Sequence, residues 1–218
     1  MMNRTGIPGA VIFGLMVLMG FFSAGCSGIV RDFPEQNLFA IETPSPPRTA
    51  DIRFGDKNGL LMRQFDIAAE FESSFFIYRV SANRFANDYY NKFMVSPARM
   101  ISDAFREALY GSGHFRPVPA SEPSDIDFRL SGRIIDLYAD IQDPGQPRAV
   151  MSLRLILEQR TAAGFMSVIN RVYEVSEAVP PDSPADLAAA WNVCLEKILA
   201  AFFTDAAALG PAPVDAIR

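Results

Sequence analysis

The chain has few of the groups from which reactive sites are built. Of its 218 residues, one is histidine and two are cysteine. One imidazole and one free thiol cannot close a zinc site. No glycine-rich phosphate loop is present, because Gly111-Ser112-Gly113 ends a helical pattern instead of opening one, the wrong end for holding an anion. His114 has no nucleophile beside it in sequence and reads as a turn residue. Basic residues are outnumbered, 20 Lys and Arg against 25 Asp and Glu, for a net charge of -5. A nucleic-acid binder would carry a basic patch and a high pI, so none is expected as a partner. The same acidity argues against electrostatic docking on anionic lipid.

What the chain does have begins at its N-terminus. Arg4 supplies a positive charge, and residues 7–22 form an almost uncharged apolar run that falls short of the ~20 residues needed to span a bilayer. This is the pattern of a secretory signal, expected over residues 1–25. It closes on Phe22-Ser23-Ala24-Gly25-Cys26, which resembles a bacterial lipobox. That resemblance implies thioether acylation of Cys26, cleavage before it and acylation of the new amino terminus. An ordinary signal cut at Ala24-Gly25 would need no cysteine at this spot. Attachment would come from the acyl chains, at about 0.8 kcal/mol per buried CH₂. With Cys26 modified, Cys194 has no partner, which excludes an internal disulfide. Cys194 falls in an apolar helical stretch and reads as a buried thiol.

Residues 26–59 read as a tether. Pro34, Pro44, Pro46 and Pro47, with Gly55, Asp56, Asn58 and Gly59, leave room for one short strand at 37–42. A single folded domain is expected over 60–209, and a loose tail over 210–218. Apolar and polar residues alternate over 63–72, which predicts a half-wet strand. A more buried strand follows at 75–80 and a weaker one at 84–89. Ser96 and Pro97 start a helix whose stripe of Met100, Ile101, Ala104, Phe105, Ala108 and Leu109 stops at Gly111 and Gly113. Four strands are then predicted, at 114–119, 128–141, 150–159 and 165–177, with a bulge at Ile134-Ile135 where the apolar phase changes. Connections between the last three are short enough for antiparallel hairpins. Ser183, Pro184 and Asp186 open a second helix that puts Leu187, Trp191, Cys194, Leu195, Ile198 and Phe202 on one face. The expected fold is α+β: an antiparallel sheet with two helices packed on one face.

No catalytic, cofactor-binding or metal-ligating set emerges. Asp125 and Asp127 read as solvated turn carboxylates and Trp191 as core. The densest aromatic cluster comprises Phe75, Phe76, Tyr78, Phe85, Tyr89, Tyr90 and Phe93. Most of it belongs in a core, while Tyr89, Tyr90 and Phe93 are candidates for contact with a partner protein.

Tyr78-Arg79, Asn83, Tyr89-Tyr90, Phe93, Ser96-Pro97 and Ser112-Gly113-His114-Phe115 follow in an order that resembles one family. It is that of the auxiliary lipoproteins of ABC-type lipid transport systems, including the paraquat-inducible system that works with mammalian-cell-entry (MCE) proteins. The Asp127-Phe128-Arg129-Leu130 strand start and the C-terminal helix fit as well, so the likeness spans residues 63–209. It implies a non-catalytic outer-membrane lipoprotein facing the periplasm. Its partners would be an MCE-domain protein and the ABC permease of the same system, with self-association left open. Ser27 after the acylated cysteine, rather than Asp, is compatible with sorting to the outer membrane. Three alternatives remain. A lipopolysaccharide-assembly lipoprotein would want grouped basic residues, whereas the arginines here are scattered along the strands. A periplasmic enzyme would want perturbed carboxylates in a cleft. The third is a purely structural envelope module.

Overall fold

The computed structural model describes residues 35–42 and 58–209. The signal segment, Cys26, the proline stretch at 44–47 and the tail 210–218 lie outside the described residues. In chain order the elements are β1 (Asn37–Phe39), β2 (Gly59–Met62), β3 (Asp66–Ile67), β4 (Phe75–Ser81), β5 (Arg84–Phe93), α1 (Pro97–Gly111), β6 (Arg116–Pro117), β7 (Phe128–Asp140), β8 (Arg148–Thr161), β9 (Gly164–Ala178) and α2 (Pro184–Ala208). Short 3₁₀ turns at Ala69–Phe71 and Pro123–Asp125 complete them. The class is α+β, as expected.

The sheet is mixed, which corrects the expectation of a purely antiparallel one. Strands β7, β8 and β9 form the predicted antiparallel hairpins, and the register slips between Ile134 and Asp136 where the bulge was expected. The other edge of β7 is lined by three separate strands, all parallel to it. β2 pairs at Leu60↔Phe128, β3 at Ile67↔Ile134 and β4 at Tyr78↔Ala139. Short loops dictate antiparallel pairing only between consecutive strands. β7 comes after α1, so its pairing with earlier strands is a crossover that no local pattern reveals.

The strand predicted at 63–72 shrinks to two residues. The Phe65 N–H leaves the ladder to donate to Ser102 Oγ at 2.8 Å. Phe65 packs edge-on against Phe105 of α1, while Phe71 packs against Tyr138 and Phe85 of the sheet. The alternation is real, but its apolar residues serve different partners. Part of the stretch read as tether packs on the domain. β1 pairs parallel with β5, the Glu42 N–H donates to Asn192 Oδ1 of α2, and Gly59 opens β2. Residues 36–42 and 58–59 therefore belong to the domain.

Both helices start where Ser-Pro predicts. The Ser183 hydroxyl accepts the Asp186 N–H and donates to the Asp186 carboxylate, a side-chain N-cap. Ser96 holds the same position in α1, but only its carbonyl is used, accepting from Arg99 and Met100. α2 lies across β8 and β9 and is long and apolar enough to cross a membrane by composition. Its apolar residues Trp191, Leu195, Ile198 and Phe202 are fully buried, so here it is a core helix. Trp191 donates its indole N–H to the Val150 carbonyl at 3.3 Å. Two glycines permit close approaches: a Cβ at Gly132 would lie 2.6 Å from the Phe65 ring, and one at Gly59 only 2.0 Å from the Asp125 carbonyl oxygen.

Candidate functional site

The aromatic candidates lie on the β4–β5 hairpin, where the ladder breaks. Phe75 pairs with Lys92 and Ile77 with Asn87, so Phe76 alone faces residues 88–91. Such a bulge leaves several backbone groups without ladder partners, and Asp88 supplies them. Its Oδ1 accepts the N–H groups of Tyr90 (2.8 Å) and Asn91 (3.2 Å). Its Oδ2 accepts the Asn91 side-chain amide at 2.7 Å and the Tyr78 hydroxyl at 3.0 Å. Asn91 in turn accepts from the Asn37 amide at 3.0 Å, and Gln36 donates to the Tyr89 carbonyl at 3.0 Å. The bulge is thus held by the strand below it and by β1 beside it.

Burial, then the charge and hydrogen bond of Asp88, then the charge of Asp182, push the Tyr78 phenol well above its ordinary value. Tyr78 remains a protonated donor throughout the physiological range. Asp88 has both oxygens occupied, so its carboxylate fixes the surface of the bulge.

What the bulge presents is aromatic. Tyr89 and Tyr90 are 55% and 54% exposed and meet edge to face, with ring centroids 5.7 Å apart. Phe75 stacks under Tyr89 at 6.1 Å, and the Lys92 ammonium lies 5.9 Å from the Phe75 ring. Phe93 departs from the expectation. It is 3% exposed, packed between Phe76 at 4.8 Å and Trp191 at 5.3 Å, and belongs to the core. The physical reason is the bulge itself, which resets the facing of β5 so that 89–90 point out and Phe93 points in.

Tyr78 and Asp88 also wall a cleft of about 420 Å³ at the end of the sheet. Its other side is apolar, formed by Ile141, Val179, Leu187 and prolines of the β7–β8 and β9–α2 loops. Asp182 sits on its rim with φ 56°, in the left-handed region that Asp tolerates better than most residues.

The remaining candidates serve structure. Asp127 accepts the Gly59 N–H at 2.9 Å, and Asp125 pairs with Arg116 at 3.6 Å, so the two carboxylates share no ligand position. The His114 ring packs on Phe203 at 5.7 Å. Cys194 is fully buried, and burial, then the Glu177 charge, push its thiol up to about 12. No group of three or more His, Cys, Asp or Glu positioned for a metal occurs among the described residues.

No family model and no curated protein matches the sequence. Solved structures do match. A Xanthomonas campestris protein of the DUF330 family superposes with a TM-score of 0.67 at 16% identity, covering 79% of this chain and 97% of that one. An uncharacterized protein follows at 0.59 and 11% identity, covering 81% and 99%. A hypothetical protein of Chlamydia trachomatis gives 0.52 at 10% identity, covering 70% and 99%. The fold is shared.

Sequence reasoning found the exposed tyrosines but missed Asp88, Gln36 and Asn37, which position them. A signal existed. Asn87-Asp88 is a pair of poor strand formers inside an otherwise strand-like run, which marks a bulge or local turn.

Proposed function

We propose that the protein is a non-catalytic auxiliary lipoprotein of an MCE-linked, ABC-type intermembrane lipid transport system. It is acylated at Cys26 and faces the periplasm from the outer membrane. The observation that carries this reading is a combination. A lipobox-like N-terminus precedes a domain whose fold covers 97% of a DUF330 protein. The residues that resemble the transporter lipoproteins, Tyr78 to Phe115, have defined structural work in that domain: Tyr78 braces the bulge, and Ser96-Pro97 starts α1.

In this role the protein binds and positions. Its acyl chains hold it at the membrane, and its domain docks the MCE channel or the permease. Its arginines favour this over recognition of an anionic saccharide lipid: Arg79 pairs with Asp140 at 2.5 Å, Arg171 with Asp205 at 2.9 Å, and Arg116 with Asp125. These three cations are neutralised in pairs on different elements and add little to a basic surface, while Arg133 and Arg154 face each other across β7 and β8.

In-cell crosslinking of the lipidated protein, followed by mass spectrometry of its partners, tests the proposal. Recovery of an MCE-domain protein or an ABC permease is the expected result. Recovery of a lipopolysaccharide-export barrel would move the assignment to the assembly-factor class. Recovery of no envelope partner would overturn the transport role.

A further inference from the structure

The exposed aromatic patch and the short leader combine into an orientation. Residues 27–36 are all that separate Cys26 from β1, because Asn37–Phe39 is paired to β5. About ten residues reach roughly 35 Å when fully extended, and about 17 Å as a flexible coil. A domain of this size measures roughly 40 Å across. An acyl anchor at Cys26 therefore holds the membrane near the β1–β5 edge, and the far side of the domain at β9 stays away from it. A leader of 34 residues would have imposed no such orientation.

That edge carries an amphipathic surface. Phe75, Lys92 and Leu38 are cross-strand neighbours in one row, and Leu38 is 53% exposed. Tyr89 stacks on Phe75 and Tyr90 abuts Tyr89. Met94, 60% exposed, follows at the end of β5, its N–H bonded to the Phe39 carbonyl. Tyrosines with an apolar body and a polar tip are the side chains that settle at a bilayer's headgroup level. Asp88 adds little repulsion there, because its carboxylate is folded back into the bulge by four hydrogen bonds.

Resting on the reading of Cys26 as the acylated residue, we infer that Tyr89, Tyr90, Leu38 and Met94 form a foot that rests in the headgroup layer of the membrane holding the anchor. The occupant of this surface is lipid. The contact is made by burial of rings and apolar side chains and not by charge, as a chain of net charge -5 requires. Its consequence is a domain held edge-down, with β9 turned toward the periplasm.

The test uses the full-length acylated protein in vesicles of phosphatidylethanolamine and phosphatidylglycerol whose acyl chains are brominated near the headgroup. The single native tryptophan, Trp191, is fully buried, and the parent protein's emission in the same vesicles is subtracted as the reference. Tyr89→Trp and, separately, Tyr90→Trp place a reporter in the foot. Val172→Trp places one at an exposed site on β9. Emission added by Trp at 89 or 90 is expected to lose most of its intensity and shift to the blue, at low and high salt alike, while that at 172 is unchanged. Unquenched emission at both 89 and 90 on protein that floats with the vesicles and carries acyl mass at Cys26 would overturn the foot alone. Emission at 89 and 90 that is unquenched in vesicles and shielded only when a protein partner is added would overturn it in favour of a docking surface. Quenching lost at high salt would overturn ring burial as the basis. Absence of acyl mass at Cys26 would overturn the lipoprotein reading beneath it.

Discussion

The Tyr78 hydroxyl donates to Asp88 Oδ2 at 3.0 Å and so ties the regular strand β4 to the irregular segment of β5. The hydrogen bond crosses the hairpin at the point where the ladder bonds fail. Asp88 then satisfies two backbone N–H groups that the bulge would otherwise leave to solvent. The exposed tyrosines owe their rigid placement to this carboxylate.

Asp88→Ala removes all four hydrogen bonds and is expected to cost about 2 kcal/mol, with Tyr78→Phe costing about 1 kcal/mol because Asp88 keeps its other partners. Urea unfolding measures both. An Asp88→Ala variant as stable as the parent would show that the ladder, and not the side chain, holds the bulge.

Asp140 makes stability depend on acid. Partial burial works against its ionised form, but hydrogen bonds from Gln142 and Arg79 and the charge of Arg79 outweigh that and hold the carboxyl below its ordinary value. A folded-state value below the unfolded one contributes stability above the ordinary carboxylate range, and that contribution is lost as pH falls through the folded value. Asp140→Asn should therefore be less stable than the parent at neutral pH, and the gap should close as pH falls below about 4. A melting-temperature difference that stays constant down to strong acid would refute the assignment.

Cys194 behaves in the opposite sense. Its folded value, pushed up to about 12, exceeds that of an exposed thiol. The stabilising contribution is complete below the ordinary thiol range and lost as pH rises from about 9 toward the folded value. At neutral pH a thiol reagent such as Ellman's should react with Cys194 only through opening of the fold, and readily in denaturant. Fast stoichiometric labelling of the native protein would contradict its burial.

The two tight glycines should rank. At Gly132 an added methyl meets the Phe65 ring at 2.6 and 2.7 Å, and that ring is 2% exposed with little room to yield. Gly132→Ala should cost about 1–3 kcal/mol. Gly59→Ala sets a methyl 2.0 Å from a backbone carbonyl, where strands β2 and the 3₁₀ turn must part, and should cost more. Thermal melts of the two variants check the order. Equal or reversed losses would mean that β2 separates easily.

Cys26→Ser is expected to release the protein from membranes without changing its unfolding transition, because the domain is built from residues that follow it. Fractionation and circular dichroism measure the two effects. A variant that stays membrane-bound with its acyl label intact would show that the anchor lies elsewhere.

Sequence alone determined the parts whose physics is local. Alternation in 150–159, with short turns joining it to the strands at 128–141 and 165–177, pointed to hairpins, and Ser-Pro starts with 3.6-residue stripes pointed to the two helices. The phase change at Ile134-Ile135 announced its bulge for the same reason. Tertiary structure decided everything set by contacts distant in sequence. β2 is too short to show a period, and β3 is only that part of the 63–72 alternation whose ladder the edge of β7 completes. The tether lost residues 37–42 to the domain because β5 and Asn192 offered partners. Tyr89 and Tyr90 face outward, and Phe93 inward, because Asp88 stabilises a bulge that resets the two-residue period. Local pattern reports what a segment can form, and the distant partner selects which of those forms has its hydrogen bonds satisfied.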